Sequence, residues 1–351
     1  MDETEKVVPN AMLGMWSVTK AVKKTRLSLF ASMAVLQLWL LAACTTPHYD
    51  SRSIVTEGSG LPLLVRLHDV AFPLLVAAAD WSVVDQEPTY GFLIVQIQPP
   101  MGQADAVEGS RISVAYVHPQ SPAASGGVIP GDQLIRINER TIAGMRSEEV
   151  WQLIRRITVA RIQPLQLDVV RGGRSHTLNL WAIPACKFSI QLINNDQING
   201  IADGKRIGVT TGMMKFVGSD DELAWVVAHE IAHNVLDHSE NARLRAMLNA
   251  YLGATIGPSS ETSAEVSRRS LEARADYVGA YIMARAGYDV RAIKRFWWRM
   301  ERLRSGEERP EMDSTHPTTA ERLAALEVTL KELEEKRQRG ESLKPISAEP
   351  Q

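Results

Sequence analysis

The feature that most constrains this chain is a His-Glu-Ile-Ala-His motif in a stretch that predicts a helix. Apolar residues surround the motif, and no Gly or Pro interrupts Ala224–Asn241. On a helix, His229 and His233 lie one turn apart on one face, so both imidazoles can bind one tetrahedral zinc ion. Glu230 lies one residue round the helix, where it can act as general base on the water that a metal activates. A buried helix that carries two histidines by chance is the alternative.

The pattern after the motif excludes one class of zinc protease. Metzincins require Gly at position 236 and His at position 239 for the third ligand. This chain has Leu236 and Ser239 instead. His238 lies off the helical face of His233, and we interpret it as a structural or gating residue, with a ligand role as the alternative.

The next acidic helix, predicted over residues 262–286, offers a carboxylate as third ligand. Glu272 and Asp276 are one turn apart on one face of that helix. Glu272 can therefore bind zinc while Asp276 orients one of the histidines. On periodicity alone Glu265, two turns before Glu272, is almost as good.

Length and charge limit the remaining classes of function. A chain of 351 residues can form two domains, each with its own core. A formal net charge of -2 gives no electrostatic case for nucleic acid binding.

The N-terminal region has the pattern of an export signal. Basic residues precede an apolar run from Leu27 to about Leu41, which is shorter than the roughly 20 apolar residues of a membrane span. The run ends in Leu41-Ala42-Ala43-Cys44, which resembles the lipobox of bacterial lipoprotein signal peptides. Residues 1–43 are thus predicted to be a signal peptide, with Cys44 lipidated.

Two details of this signal remain alternatives. Translation can start at Met1, or at Met12 or Met15, because the basic part is long. A retained membrane anchor and an ordinary cleaved signal are the alternatives to lipidation, and each places the protein outside the cytoplasm. Thr45 after the cysteine favours the outer membrane over the inner one.

Residues 44–60 are polar and predict a tether, and a helix kinked at Pro73 is predicted over Leu61–Trp81. From Tyr90 to about residue 182, short alternating apolar runs are separated by Gly and Pro, which is typical of small strands. Four segments are the most informative. Ser121-Pro122-Ala123-Ala124 predicts the start of a helix, and Gly131-Asp132 predicts a turn before the strand Gln133–Ile137. Asn138-Glu139-Arg140 predicts a tight turn, and Val169 to Gly173 predicts a late hairpin.

These segments resemble a bacterial PDZ domain. PDZ domains add a peptide strand to an exposed sheet edge, so the resemblance implies binding of a substrate or partner. Our candidate for the loop that receives a ligand carboxylate is Gly109-Ser110-Arg111. A degenerate PDZ fold used only for packing is the alternative.

The region before the motif predicts a small sheet. Cys186–Ile193 predicts a strand, Asn199–Gly204 a turn, and Arg206–Thr210 a second strand at the sheet edge. In zinc peptidases, such an edge strand pairs with extended substrate. After the motif, Phe296-Trp297-Trp298 is predicted to be core, and a packing helix is predicted over residues 319–337.

Three motifs in order resemble the zinc endopeptidase family of the CAAX prenyl endopeptidase and HtpX. They are HEIAH, then Glu272-Ala273-Arg274-Ala275-Asp276, then Ser314-Thr315-His316-Pro317 with Arg322. The resemblance implies that His229, His233 and Glu272 bind zinc, that Glu230 is the base, and that Asp276 supports a ligand. His316 and Arg322 would close over the site, for substrate or oxyanion contact or for structural support.

We therefore expect an α+β protein: a zincin-like, mainly helical metallopeptidase domain with a small edge sheet, and an inserted PDZ domain. The expected boundaries are 61–89 for the first helix region of the peptidase, 90–182 for the PDZ domain, 185–335 for the rest of the peptidase and 336–351 for a polar tail. The expected function is zinc-dependent cleavage of misfolded or misassembled envelope proteins by a periplasmic, lipid-anchored protein. A PDZ-based assembly factor with an autoinhibited or structural zinc site is the alternative.

Overall fold

The computed structural model describes residues 54–55, 60–81, 86–97, 111–160, 164–238, 263–305 and 320–345. The predicted signal peptide, the lipidation residue Cys44 and His316 lie outside these residues.

The described part of the chain begins with a short strand and a long apolar helix. The first elements are β1 (Ile54–Val55), α1 (Leu61–Ala78) and β2 (Gln86–Thr89). Helix α1 runs through Pro73, and a 3-10 turn extends it to Trp81. With a mean hydropathy of 1.6 it is long and apolar enough to cross a membrane, a test that the core helix of a soluble protein also passes. One side of α1, including Leu67, Val70 and Leu74, is buried in the larger hydrophobic core.

The middle region forms its own sheet around its own core, as the PDZ resemblance implies. Its elements are β3 (Phe92–Ile97), β4 (Arg111–Val117), α2 (Pro122–Ser125), β5 (Gln133–Ile137), β6 (Arg140–Thr141), α3 (Ser147–Val159), β7 (Leu165–Arg171) and β8 (Arg174–Leu180). The strand order is β3-β4-β5-β7-β8, with β6 paired to β5, so β3 lies at an edge. Ser121 caps α2 by accepting a hydrogen bond from the Ala124 N–H, and Asn138 and Glu139 have positive φ at the predicted turn.

This PDZ-like region is inserted between two parts of the larger core. The chain returns through β9 (Ile183–Cys186), which pairs antiparallel with β2. The two strands form a ribbon through which the chain leaves and re-enters the larger core. The predicted strand Cys186–Ile193 is therefore wrong in one respect: its first residue ends β9, and a new strand starts at Ser189.

A second sheet lies beside the helices and consists of β1, β10 (Ser189–Ile193), β11 (Gly200–Ala202) and β12 (Arg206–Thr210). Its order is β1-β10-β12-β11, with β10 and β12 parallel and β11 antiparallel to β12. Two predictions are corrected here. The segment Asn199–Gly204 is not only a turn, because it contains β11, and the edge strand is β11 rather than Arg206–Thr210.

Within the described residues after Thr210, the structure has five helices: α4 (Thr211–Phe216), α5 (Asp220–His238), α6 (Ser263–Arg285), α7 (Ala292–Ser305) and α8 (Ala320–Gln338). The helices predicted over residues 262–286 and over residues 319–337 are confirmed to within one residue at each described end. The helix predicted around the motif is also confirmed, but it begins at Asp220, four residues before Ala224. The core assignment holds for Phe296, which is buried, but is wrong for Trp298, which is 61% exposed. The whole is an α+β fold.

Candidate metal centre

Helix α5 carries the motif and is buried on nearly every side. Ser219 accepts a hydrogen bond from the Glu222 N–H, and the Glu222 carboxylate accepts one from the Gly218 N–H, so the first turn is capped. This fixed helix places the Nε2 atoms of His229 and His233 3.1 Å apart.

Helix α6 brings a carboxylate to the same point. Glu272 places Oε2 3.4 Å from Nε2 of His229 and Oε1 3.4 Å from Nε2 of His233. The two helices approach closely at Gly279, where a Cβ atom would lie 3.1 Å from the His229 Cα. The rival Glu265 lies in α6, but its side chain is outside the described part of the structure, as is the side chain of His238.

The three side chains fit a tetrahedral metal ion. Their candidate ligand atoms lie within 4.8 Å of one another. Ligands at about 2.05 Å from a tetrahedral zinc ion stand about 3.3 Å from each other, close to the measured separations. Two imidazoles and a carboxylate with room for a fourth ligand are the donor set of catalytic rather than structural zinc sites.

A buried ion network supports this cluster from behind. Asp276 lies one turn after Glu272 and places Oδ1 3.0 Å from Nδ1 of His229. Arg322 of α8 donates from Nε and Nη2 to the two Asp276 oxygens, each at 2.8 Å, and places Nη1 3.0 Å from Oε2 of Glu272. The guanidinium also stacks over the Trp297 ring at 5.3 Å. Arg322 is 2% exposed.

The network shifts the pKa values of its members. Burial alone would lower the pKa of His229, but the hydrogen bonds and charges of Asp276 and Glu272 outweigh it and raise that pKa to about 10. Burial opposes ionisation of Asp276, yet the charges of Arg322 and His229 hold the pKa of this carboxyl below its ordinary value. Without a metal, these two shifts favour the ionised forms of both His229 and Asp276.

Glu230 lies between this cluster and the edge strand. It is 2% exposed, and a Cβ atom on Gly200 of β11 would lie only 2.7 Å from its Oε1. Asn234, next to the second histidine, holds the β11–β12 hairpin on the helix: its Oδ1 accepts from the Gly204 N–H at 2.7 Å and its Nδ2 donates to the Arg206 carbonyl at 3.2 Å. The edge strand and the candidate base are thus fixed to one another.

Sequence reasoning missed the roles of Gly200 and Asn234. For Asn234 the sequence did offer a signal, since it is a polar residue that directly follows the motif in a largely apolar helix. The contact of Gly200 depends on the tertiary fold.

Of the proposed carboxylate loop of the PDZ-like region, only Arg111 lies in the described chain. Arg111 opens strand β4 and pairs with Ile97. The loop that leads into the edge strand β3 ends in Tyr90 and Gly91, and Gly91 has a φ of +72°. The Tyr90 and Gly91 carbonyls accept hydrogen bonds from the Ala123 and His118 N–H groups, which fix this loop.

Comparison with known proteins gives two family matches. Residues 174–330 match peptidase family M48, and residues 89–169 match the PDZ domain. The M48 match contains all of the clustered metal-site residues, and the PDZ match covers most of the inserted sheet.

Among individual relatives, the mitochondrial metalloendopeptidase OMA1 of Schizosaccharomyces pombe is 27% identical over 43% of this chain and 49% of its own. The beta-barrel assembly-enhancing protease of Yersinia pestis is 28% identical over 39% of this chain and 33% of its own. A solved HtrA3 PDZ domain bound to a phage-derived ligand is 24% identical over 28% of this chain and 88% of its own, with a TM-score of 0.23. The chain spans less than half the length of these two curated relatives. The M48 match and the two curated relatives support a metalloendopeptidase.

Proposed function

We propose that this chain, which joins an M48 peptidase region to a PDZ domain, is a zinc-dependent endopeptidase of the bacterial cell envelope. Its substrates would be misfolded or misassembled envelope proteins, held by the PDZ domain through strand addition. The observation that carries the proposal is the cluster of His229, His233 and Glu272 at separations that suit one tetrahedral zinc ion, with Glu230 beside it.

In the proposed mechanism, this chain's residues position substrate and move one proton. When bound, zinc supplies Lewis acidity, which polarises a carbonyl and acidifies water. Glu230 accepts the proton of the attacking water and transfers it to the leaving amine. Among the described strands β11 pairs only with β12, so its other edge is available to align an extended substrate backbone beside Glu230.

Arg322 and Asp276 act indirectly in this proposal. Asp276 fixes the ring of His229 through Nδ1, which leaves Nε2 for the metal. Arg322 neutralises part of the negative charge of Asp276 and Glu272 and holds both carboxylates in place. At 2% exposure it is placed for support rather than for contact with substrate.

The cellular setting rests on the N-terminal sequence. Cleavage before Cys44 and its lipidation would tether the protein to the periplasmic face of the membrane, with Thr45 favouring the outer membrane. Mass spectrometry of the N-terminal peptide from cells would detect the acylated cysteine, and an unmodified Cys44 would rule out this anchor.

The direct test replaces Glu230 by Gln. Because general acid–base catalysis contributes roughly 10²–10⁴-fold, cleavage of unfolded casein should fall by about that factor while one zinc per chain is retained. Glu301→Gln, an exposed carboxylate on α7, is the matched control and should cleave at the parent rate. Full cleavage by Glu230→Gln would refute the assignment of the base.

The same variants separate the proposal from the alternative of an assembly factor. A pull-down of envelope proteins should retain more substrate on Glu230→Gln than on the parent, since uncleaved substrate stays bound. Equal retention, with no cleavage by the parent, would favour the assembly factor.

A further inference from the structure

A cavity of about 680 Å³ lies between the PDZ-like region and the peptidase region, away from the metal centre. Its volume is within the range of about 300–1,000 Å³ that is typical of ligand pockets. None of the three candidate metal ligands lines it. Both regions contribute walls: the PDZ-like region contributes the edge strand β3, and the peptidase region contributes helix α1.

The PDZ wall has the form of an open sheet edge. Five consecutive residues, 91–95, line the cavity, which corresponds to about 13 Å of extended chain. Among the described strands, β3 pairs only with β4, so its other edge faces this space. Trp151 of α3 lines the cavity and stacks on Phe92 with the ring centroids 5.4 Å apart. A wall made from consecutive residues of an edge strand suits an added strand better than a compact molecule.

The peptidase wall is helix α1. His68, Phe72 and Leu75 line the cavity at helical spacing, while the opposite side of α1 is buried in the peptidase core. Leu64 also lines the cavity but is itself buried in that core. Phe72 reaches the loop before β3, because a Cβ atom on Gly91 would lie 2.6 Å from its ring. Part of β10 also lines the same space.

The two walls are held together by a polar contact beside the cavity. The Tyr116 hydroxyl of β4 donates a hydrogen bond to the Asp69 carboxylate of α1. The PDZ edge and α1 therefore face each other in a defined arrangement, across the space that a strand added to β3 would enter.

The lining favours apolar ligand side chains in the middle and charge only at the rim. Burial lowers the pKa of His68 to about 4, so this side chain is neutral at pH 7. Arg155 and Glu87 lie 3.0 Å apart at the rim, where the Arg155 side chain is 62% exposed. The other two charged lining residues, Glu148 and Lys187, are also exposed.

We infer that this cavity is a composite peptide site, in which the peptidase helix α1 contacts every second side chain of the ligand. An extended peptide of about four or five residues with apolar side chains adds to β3. Because alternate side chains of a strand point to opposite faces, one set packs on Trp151 and the other on His68, Phe72 and Leu75. The inference deepens the proposed function and rests on it for the peptide-binding role of the PDZ domain.

The test uses the full chain with Glu230→Gln, so that a bound peptide is not consumed. A phage-displayed library of C-terminal heptapeptides is selected against this protein, and the most enriched sequence is made as a fluorescein-labelled peptide. Fluorescence anisotropy then gives its Kd for three variants, Leu75→Asn, His68→Glu and Trp151→Ala. The control is Val76→Asn, next to Leu75 on α1 and also half-buried but not lining the cavity.

We expect the three variants to weaken binding at least tenfold and the control to stay within twofold. Zinc content and the melting temperature establish that each variant is folded. If Leu75→Asn misfolds, His68→Glu alone tests the contribution of α1. Loss of binding in Trp151→Ala with parent-like Kd in both α1 variants would overturn the composite site but leave a PDZ peptide site intact. Failure to enrich any peptide would also overturn it, as would tighter binding after removal of residues 346–351, which would identify the chain's own tail as the occupant.

Casein cleavage by the parent is measured separately. A failure of the composite site is therefore distinguishable from a failure of the proposed peptidase function.

Discussion

Replacement of Gly200 by Ala should lower the rate of cleavage without loss of zinc from the site. The added Cβ atom would lie 2.7 Å from Oε1 of Glu230, and 3.1 Å from the Val226 side chain. Ordinary contact begins at 3.4 Å, so the Glu230 carboxylate has to retreat by about 0.7 Å. The carboxylate is the end of a flexible side chain, so it moves more readily than the strand.

The expected loss follows from this displacement. A misplacement of about 1 Å at a reacting group can cost roughly 10²-fold in rate. We therefore expect kcat to fall by roughly 10–100-fold, or about 1.4–2.7 kcal/mol of transition-state stabilisation. The melting temperature should change little, because Ala is no worse than Gly within a strand and the clash is relieved by a side chain.

The assay is cleavage of a fluorogenic unfolded substrate, with zinc content measured on the same samples. Gly218→Ala is the matched control, since its Cβ would meet the end of the Arg299 side chain at 3.1 Å and not Glu230. An undiminished kcat in Gly200→Ala with a full complement of zinc would refute the reasoning. So would loss of zinc, because the ligands rather than the base would then have moved.

Further predictions concern the charges around the metal. Replacement of Arg322 by Met leaves Glu272 and Asp276 buried with one cation fewer, and should destabilise the metal-free protein by about 3–5 kcal/mol. Urea denaturation with and without zinc measures this, with zinc restoring part of the loss, and equal stability of variant and parent would contradict it. Zinc binding at pH 7.5 should release about one proton, because metal-free His229 with a pKa of about 10 is protonated there and must lose its proton to bind. Calorimetric titration with zinc in two buffers of different ionisation enthalpy gives the number of protons released. A value of zero would contradict the prediction. The raised pKa of His229 also stabilises the metal-free fold, fully below about pH 6.5, and this stabilisation is lost as the pH rises through about 10. Thermal melts between pH 6 and 10.5 should show this loss as a falling melting temperature.

The sequence predicted the two histidines and Glu230 because a helix of known period fixes their relative positions. It could not choose between Glu272 and Glu265 from periodicity, since both lie on one helical face. The contact of Glu272 with both histidines depends on the distance between α5 and α6, which Gly279 permits only in the folded protein. The three-motif resemblance pointed to Glu272, and its contacts with both histidines agree.

The edge of the small sheet was predicted at the wrong strand for a local reason. Asn199-Gly200 and Asp203-Gly204 are turn signals, and the three-residue strand between them is too short to show alternation. The strand is stabilised by its hairpin pairing with β12 and by the contact of that hairpin with Asn234 of α5, which is a tertiary contact. Likewise nothing local to Arg322 indicates that it joins two carboxylates 46 and 50 residues earlier in the chain.

The insertion of the PDZ-like region between α1 and the rest of the peptidase core has a consequence for biogenesis. The inserted sheet contains all of its own core and can fold as soon as β8 is made. Helix α1 precedes it, but the partners that bury Leu67, Val70 and Leu74 come only afterwards. During synthesis the nascent chain therefore carries an uncovered apolar helix in front of an already folded domain. Exposed apolar surface of this kind favours aggregation, so a chaperone that shields α1 for this interval would raise the yield of folded protein.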